Sequence, residues 1–266
     1  MSDLILFDSI VPEVREIPNI KGAWLISNLL SQAECLNFIE KIQHDEIIDT
    51  STRLREDDNY EASIIRKSKR YKHDLPQLSQ QIFERLKGIA PETLTFESED
   101  DELGPFLTGT WKFHSVNEKI SFLKYEVGGQ FSKHRDGIYI QHQDLRSLIT
   151  VLVYLNSDYQ EGRTSAYDDT GAYSISVEPI IGSAFMMIQR VLHEGGQVAS
   201  GVKLAVRFDL MYHREGEMNS EIEEKNKLAA EYLKMANELE RSHQGLEAVK
   251  YYRMAFKLNP QLESIL

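Results

Sequence analysis

The chain has a single cysteine, Cys35, in 266 residues, which excludes an intrachain disulfide and points to a reducing compartment. Basic residues are scarce relative to acidic ones: 30 against 42 give a net charge of -12, which disfavours nucleic-acid phosphates and anionic membranes as partners. No apolar run approaches the roughly 18 to 20 residues needed to span a bilayer. The opening Met1-Ser-Asp-Leu-Ile-Leu-Phe-Asp has neither the basic nor the apolar region of a secretory signal, and Glu263-Ser-Ile-Leu266 is not an ER-retention signal. A soluble cytoplasmic or nuclear protein is expected, without nucleic acid or membrane as partner. The nearest basic patch, Arg66-Lys67-Ser68-Lys69-Arg70, is short and reads as a solvated face or loop. The acidic run Glu97-Ser-Glu-Asp-Asp-Glu102 reads as a solvated turn.

What is present is a globular composition, 41% hydrophobic, sufficient for one catalytic domain and a small appendage. Gly22-Ala-Trp-Leu-Ile26 is a strand candidate. Ser31 and Glu34 then form a capping-box pair that opens a helix over about 32 to 44. Residues 45 to 74 are highly charged and poorly periodic, which predicts a long loop. Leu75, Leu78, Ile82, Phe83 and Leu86 place a second helix after Asp74. From about residue 119 the pattern is β, with strands at 120–126, 147–155, 172–177, 183–188 and 202–212 and a turn at Asp168-Asp-Thr-Gly171. Helices followed by short strands predict an α+β fold, an antiparallel sandwich or jelly-roll barrel with helices outside. Glu221 to Arg241 and Gly245 to Leu258, before Pro260, predict a helical hairpin.

Function is carried by His134 and Asp136. On an extended strand these positions share a face, and a distant third ligand, His193, would complete two imidazoles and one carboxylate on one side of a metal. That arrangement leaves coordination positions open, as in non-haem Fe(II) oxygenases. Residues 202–210 alternate cleanly. Val202, Leu204, Val206, Phe208 and Leu210 lie on one face, and Lys203, Ala205, Arg207 and Asp209 on the other. If the apolar face packs on helices, Lys203 and Arg207 point inward and need anionic partners. Asp209 can neutralise one of them, and two cations against one carboxylate leave room for a bound dianion; the alternative is an edge strand whose polar face is wet.

Three stretches carry a resemblance. They are Phe122-Leu-Lys-Tyr125-Glu-Val-Gly-Gly129-Gln-Phe131-Ser-Lys-His134-Arg-Asp136, then Arg146-Ser-Leu-Ile-Thr150-Val-Leu-Val-Tyr154-Leu-Asn156, then His193-Glu-Gly195 through Lys203 to Arg207-Phe-Asp-Leu-Met-Tyr212. Residues 119–212 resemble the 2-oxoglutarate and Fe(II)-dependent dioxygenases, in particular the prolyl 4-hydroxylase-like branch, and Gly22 to Cys35 resembles that family's opening strand and helix. The resemblance implies a double-stranded β-helix with a dioxygenase domain over 1–216, its jelly-roll core at about 110–214, and a hairpin at 217–266. It implies Fe(II) on His134, Asp136 and His193, and 2-oxoglutarate on Lys203, with Tyr125, Thr164 and Arg207 as further cosubstrate contacts. For Arg207, pairing with Asp209 or a structural part is the alternative. It also implies O2 consumption, succinate and CO2 as products, and ascorbate as a reductant. Neutral imidazoles are needed for ligation, so activity is expected to fall in acid.

Glu161-Gly162-Arg163-Thr164 departs from the family's Gly-Gly-Glu-Thr, placing Arg163 where an acid is expected beside the site. Three readings stay open: a hydroxylase of protein side chains, prolyl foremost; a small-molecule hydroxylase; and a non-catalytic 2-oxoglutarate-binding scaffold. The hairpin resembles one tetratricopeptide unit in its small residues and terminal Pro260. A single unit is expected to pack on the barrel, on a protein partner or on a second copy.

Overall fold

Ser31 and Glu34 form the reciprocal cap expected of them. The Glu34 amide donates to Ser31 Oγ at 3.0 Å and the Ser31 amide to Glu34 Oε2 at 2.9 Å, which starts helix α1 (Gln32–His44). This computed structural model describes residues 8–44, 66–97, 107–142, 144–216, 220–242, 244–259 and 262. The rest of the expected long loop, 45–65, most of the acidic run, 98–102, and Pro260 lie outside the described residues. The chain divides into two units, residues 1–92 with 113–212 and residues 93–112 with 213–266.

After β1 (Glu13–Glu16), β2 (Ala23–Ser27) and α1 come β3 (Arg66–Lys67), β4 (Lys69–Asp74) and α2 (Pro76–Leu86). Residues 66–74 are therefore strands, not loop. Ser68 and Tyr71 are buried among the charges that hide the strands there. β5 (Thr93–Phe96) and β6 (Gly109–Val116) precede β7 (Lys119–Tyr125), β8 (Gln130–His134), β9 (Ile140–His142) and β10 (Leu145–Tyr154). Then follow β11 (Gln160–Glu161), β12 (Thr164–Tyr167), β13 (Ser174–Val177), β14 (Ala184–Ile188), β15 (His193–Gly195), β16 (Val198–Ser200) and β17 (Lys203–Arg214).

In the first unit, the large sheet runs β1-β2-β14-β10-β17-β7-β4, with β9 bonded to β10. A smaller sheet runs β13-β12-β15-β8-β3. Tyr154, Phe185 and Met187 of the large sheet pack with Ala166 and Val177 of the small one, and Leu123, Tyr125 and Ala205 pack with Phe131. The core thus lies between two mostly antiparallel sheets, the jelly-roll arrangement that the strand pattern predicts. The opposite face of β17 presents Val206 and Phe208 to Leu29, Leu30, Phe38 and Ile82, so the helices cover its apolar side and the polar side faces inward. Asp168 and Gly171 close the turn between β12 and β13 through a 3.0 Å backbone bond.

The helices are locked by one buried ion pair. Arg85 on α2 donates to both carboxylate oxygens of fully buried Glu34, at 2.7 and 2.9 Å. Burial alone would raise the Glu34 carboxyl, but Arg85 and the amides of Ser31 and Asp8 outweigh it and hold the group below its usual value. Its stabilisation is therefore fully present above the unfolded carboxylate pKa and lost as pH falls through the folded one. Arg85→Ala is expected to cost about 3–5 kcal/mol at neutral pH, because Glu34 is left charged and buried. Urea unfolding at neutral pH checks this, and a loss under about 1 kcal/mol would contradict it.

In the second unit, β5 pairs with β6 from Thr93↔Lys112 to Phe96↔Gly109. The Trp111 indole donates to the Leu107 carbonyl at 2.7 Å, and the Arg214 guanidinium lies 4.2 Å from the Trp111 ring centroid. Helices α3 (Ser220–Arg241) and α4 (Gly245–Leu258) form the expected hairpin. Ala229 and Ala236 on one and Ala248 and Ala255 on the other are buried, and the Tyr252 hydroxyl lies 2.8 Å from both Asn237 Oδ1 and Glu240 Oε2. Among the described residues no helix is long and apolar enough to cross a membrane.

Candidate active site

Antiparallel pairing sets His193, the first residue of β15, directly opposite His134, the last of β8. Paired residues share a face, and the two rings lie 4.2 Å apart. Asp136 stands beyond the end of β8 rather than on the strand. Its amide donates to the Gln189 carbonyl at 3.0 Å, which returns the carboxylate to the histidines. Asp136 Oδ1 lies 3.7 Å from His134 Nε2, and Oδ2 lies 3.8 Å from His193 Nε2. One ligand atom from each residue falls within 4.8 Å of the others.

The hydrogen bonds on the far side of each ring decide what the near side offers. His134 Nδ1 lies 2.7 Å from the Ser132 carbonyl and His193 Nδ1 lies 3.0 Å from the Val191 carbonyl. A carbonyl only accepts, so Nδ1 carries the proton and Nε2 presents a lone pair. Two lone pairs then face a carboxylate whose Oδ2 is buried without a hydrogen-bond partner. Acceptors turned toward one another are unfavourable until a cation lies among them, and two nitrogens with one oxygen suit Fe(II). Burial would raise the Asp136 carboxyl, but the Arg207 guanidinium overcomes this and holds it far below the usual carboxylate range. Burial lowers the His193 imidazole to about 4, against the pull of Asp136, so it stays neutral at physiological pH.

Arg207 connects the triad to a buried polar chain. Its Nη1 lies 3.3 Å from Asp136 Oδ1 and its Nη2 lies 3.0 Å from Asp209 Oδ1. Thr150 Oγ1 donates to the same Asp209 oxygen at 3.1 Å, Gln189 Nε2 donates to Thr150 at 3.3 Å, and Ser147 Oγ donates to Gln189 at 3.1 Å. The guanidinium is buried, which alone would lower its pKa, and the two aspartates raise it instead. Clamping Oδ1 leaves Oδ2 as the open oxygen of Asp136.

Lys203 stands on the same face of β17 as Arg207, opposite Tyr125 of β7. It is 2% exposed, and Nζ donates to the Gly162 carbonyl at 2.6 Å and to Thr164 Oγ1 at 3.4 Å. The Tyr125 and Tyr154 ring centroids are 5.3 and 5.8 Å away. No carboxylate pairs with it among the described residues, and burial pushes the ammonium down to about 8. Gly162 has φ +66°, and a Cβ there would lie 2.7 Å from Val198 Cγ2, so a side chain is excluded where the backbone meets Lys203. A buried cation faced by neutral acceptors suits an incoming carboxylate.

The remaining expectations divide. Thr164 and Tyr125 are brought to Lys203, as described. Arg163 is half exposed and pairs with Glu178 at 3.0 Å, not with any triad residue. The stretch Arg66 to Arg70 is a solvated face only in part: Lys67 is exposed and Lys69 pairs with Glu126 at the surface, but Arg66 lies opposite Phe131 in the β3–β8 pair, its guanidinium is 4.7 Å from the Phe131 ring centroid, and that ring stacks at 3.4 Å on His134. The residues that sequence reading left without a site role are therefore Arg66, Phe131, Thr150 and Gln189. For Arg66 and Arg70 no periodic signal existed, because they lie on two short strands of different sheets.

Residues 120–208 match the family model described as the 2OG-Fe(II) oxygenase superfamily. No curated protein sequence matches the chain. Among solved structures, a prolyl-4-hydroxylase from Pseudomonas putida superposes with TM-score 0.48 at 18% identity, over 73% of this chain and 94% of that one. A prolyl hydroxylase from Trichoplax adhaerens, in complex with a hypoxia inducible factor oxygen degradation domain peptide, gives 0.48 and 18% over 74% and 86%. HygX from Streptomyces hygroscopicus, with nickel and 2-oxoglutarate bound, gives 0.46 and 12% over 73% and 83%. The segment that holds the triad and Lys203, residues 120–208, is thus the part of the chain that matches the 2OG-Fe(II) oxygenase superfamily, a family whose dioxygenase chemistry uses Fe(II), 2-oxoglutarate and O2.

Proposed function

We infer that the chain is a hydroxylase in which His134, Asp136 and His193 hold Fe(II) and Lys203, with Thr164 and Tyr125, holds the distal carboxylate of 2-oxoglutarate. The observation that carries this reading is the pairing of two unmet demands on one barrel interior: three acceptors without a cation, and a buried ammonium without an anion. When bound, iron and cosubstrate together with O2 supply a two-electron oxidation of a C–H bond, with release of succinate and CO2. The protein's part is to hold three positions on one side through fixed tautomers, to pin Asp136 through Arg207, and to surround the site with the apolar core between the sheets. Ascorbate is proposed as the reductant that restores Fe(II).

A protein side chain, prolyl foremost, is the proposed substrate, supported by the likeness of residues 122–156 to the prolyl 4-hydroxylase-like branch. Arg163 favours a second reading, a small-molecule hydroxylase, since it replaces the acid of that branch with a cation paired to Glu178. Incubation of iron-loaded protein with 2-oxoglutarate and proline-containing peptides should add one oxygen to the peptide, and His134→Ala should abolish the gain. A gain that survives His134→Ala would refute the site. Turnover of small molecules with no peptide modified would decide for the second reading, and absence of succinate under every condition would indicate a scaffold.

A further inference from the structure

Two arginines face the oxygenase site with no ion-pair partner among the described residues. β4 pairs with β7 so that Arg70 lies opposite Leu123, and β7 pairs with β17 so that Leu123 lies opposite Ala205. Cross-strand partners share a face, so Arg70 stands on the side of the sheet that carries Lys203 and Arg207, two positions either way from Ala205. Arg66 arrives from the small sheet, on the Phe131 ring that stacks against His134. Burial lowers both guanidinium pKa values and Arg207 repels both, which outweighs an attraction from Asp136.

Among the described residues neither arginine has a carboxylate of its own. Arg66 Nε donates to the Ser68 hydroxyl at 2.8 Å, a neutral acceptor, and Arg70 Nε is buried with no hydrogen-bond partner. Among the described residues no carboxylate forms an ion pair with either, and the two interior aspartates, Asp136 and Asp209, are already paired with Arg207. Fe(II) and doubly charged 2-oxoglutarate cancel one another, so filling the proposed site leaves these two cations unmatched. In a chain of net charge -12 this is a local reversal of sign, and it needs an anion that neither metal nor cosubstrate supplies.

We propose that Arg66 and Arg70 bind an anionic group of the substrate, a carboxylate or a phosphate, and thereby select acidic substrates for the oxygenase. This rests on the oxygenase reading above. Guanidinium forks match either group in a bidentate manner, and the Arg66–Phe131–His134 stack sets the anion beside the metal site, not at the Lys203 end.

The test uses the full chain loaded with Mn(II) in place of iron and saturated with 2-oxoglutarate, whose binding is measured first by calorimetry. Inorganic phosphate and acetate are then titrated in separate arms, and their NMR relaxation by the bound Mn(II) is recorded with and without cosubstrate. Saturable relaxation by at least one probe is expected, weakened about tenfold or more by Arg70→Gln or Arg66→Gln and restored in part by Arg70→Lys, with thermal melts confirming that each variant folds. Preference for phosphate assigns a phosphorylated substrate and preference for acetate a carboxylic acid. No saturable relaxation in the unaltered protein, or equal relaxation in the folded glutamine variants, would overturn the proposal, the latter by placing the anion on the metal. Weakened 2-oxoglutarate binding in those variants, with phosphate and acetate unaffected, would overturn it too, by giving the arginines to the cosubstrate. Failure of 2-oxoglutarate to bind the unaltered Mn(II) protein would instead defeat the oxygenase reading, while the arm without cosubstrate still reports on the arginines.

Discussion

Asp136→Ala should reduce affinity for Fe(II), or for Mn(II) as a stable substitute, by more than about 100-fold, and succinate formation should disappear with it. Disturbing only the outer partners of a metal ligand costs roughly 10- to 100-fold, and this substitution removes the ligand itself. It also removes the carboxylate that, among the described residues, alone stands between the two Nε2 lone pairs. The fold should survive, because Arg207 keeps Asp209 as its partner at 3.0 Å. Calorimetric titration of metal into the variant, beside a thermal melt, separates the two effects. Metal affinity within tenfold of the unaltered protein would remove Asp136 from the site.

Lys203→Met should act in opposite directions on cosubstrate binding and on stability. Truncating one side of a buried charge pair costs about 2–5 kcal/mol, so 2-oxoglutarate should bind roughly 30-fold more weakly, or worse. Without cosubstrate the sign reverses. Burial lowers the Lys203 ammonium to about 8 from 10.5, so the folded state carries a penalty that is full below pH 8 and fades as pH rises toward 10.5. Methionine removes that penalty, and the variant should be more stable at neutral pH, by on the order of 3 kcal/mol. The same shift predicts that the unaltered protein loses affinity for 2-oxoglutarate as pH rises above about 8, because only the charged form pairs with a carboxylate. Urea unfolding and cosubstrate titration across pH 7 to 10 test both halves. A variant that is less stable and binds 2-oxoglutarate normally would make Lys203 a structural residue.

The acid side of the expected pH response also moves. Neutral histidines are required for ligation, and burial lowers His193 to about 4, so protonation of this ligand is displaced below the ordinary histidine range. That displacement comes from burial between two sheets, which spacing along the chain does not reveal.

Local chemistry was legible where a short pattern determines a local structure. Ser31 and Glu34 sit three residues apart and cap α1. Alternation along residues 202–210 put Val206 and Phe208 against the helices and Lys203 and Arg207 inside, and the structure shows this division. High charge concealed β3 and β4, because residues 66–74 read as solvated when judged by composition. Strands β11, β12, β15 and β16, of two to four residues, are too short for a period to emerge and exist through pairing with distant partners.

The sequence by itself determined the donor set, His134, Asp136 and His193, and the cation that follows ten positions later, because the kind of ligand atom is a property of the residue. Only the tertiary structure decided which nitrogens are offered, which oxygen of Asp136 is left open, and which other charges surround the site. Those depend on what lies opposite: the Ser132 and Val191 carbonyls behind the rings, Arg207 on Asp136 Oδ1, and Arg66 and Arg70 brought in by two separate sheets. Burial makes these distant contacts decisive, since a charge removed from water must be answered by whatever the fold places beside it.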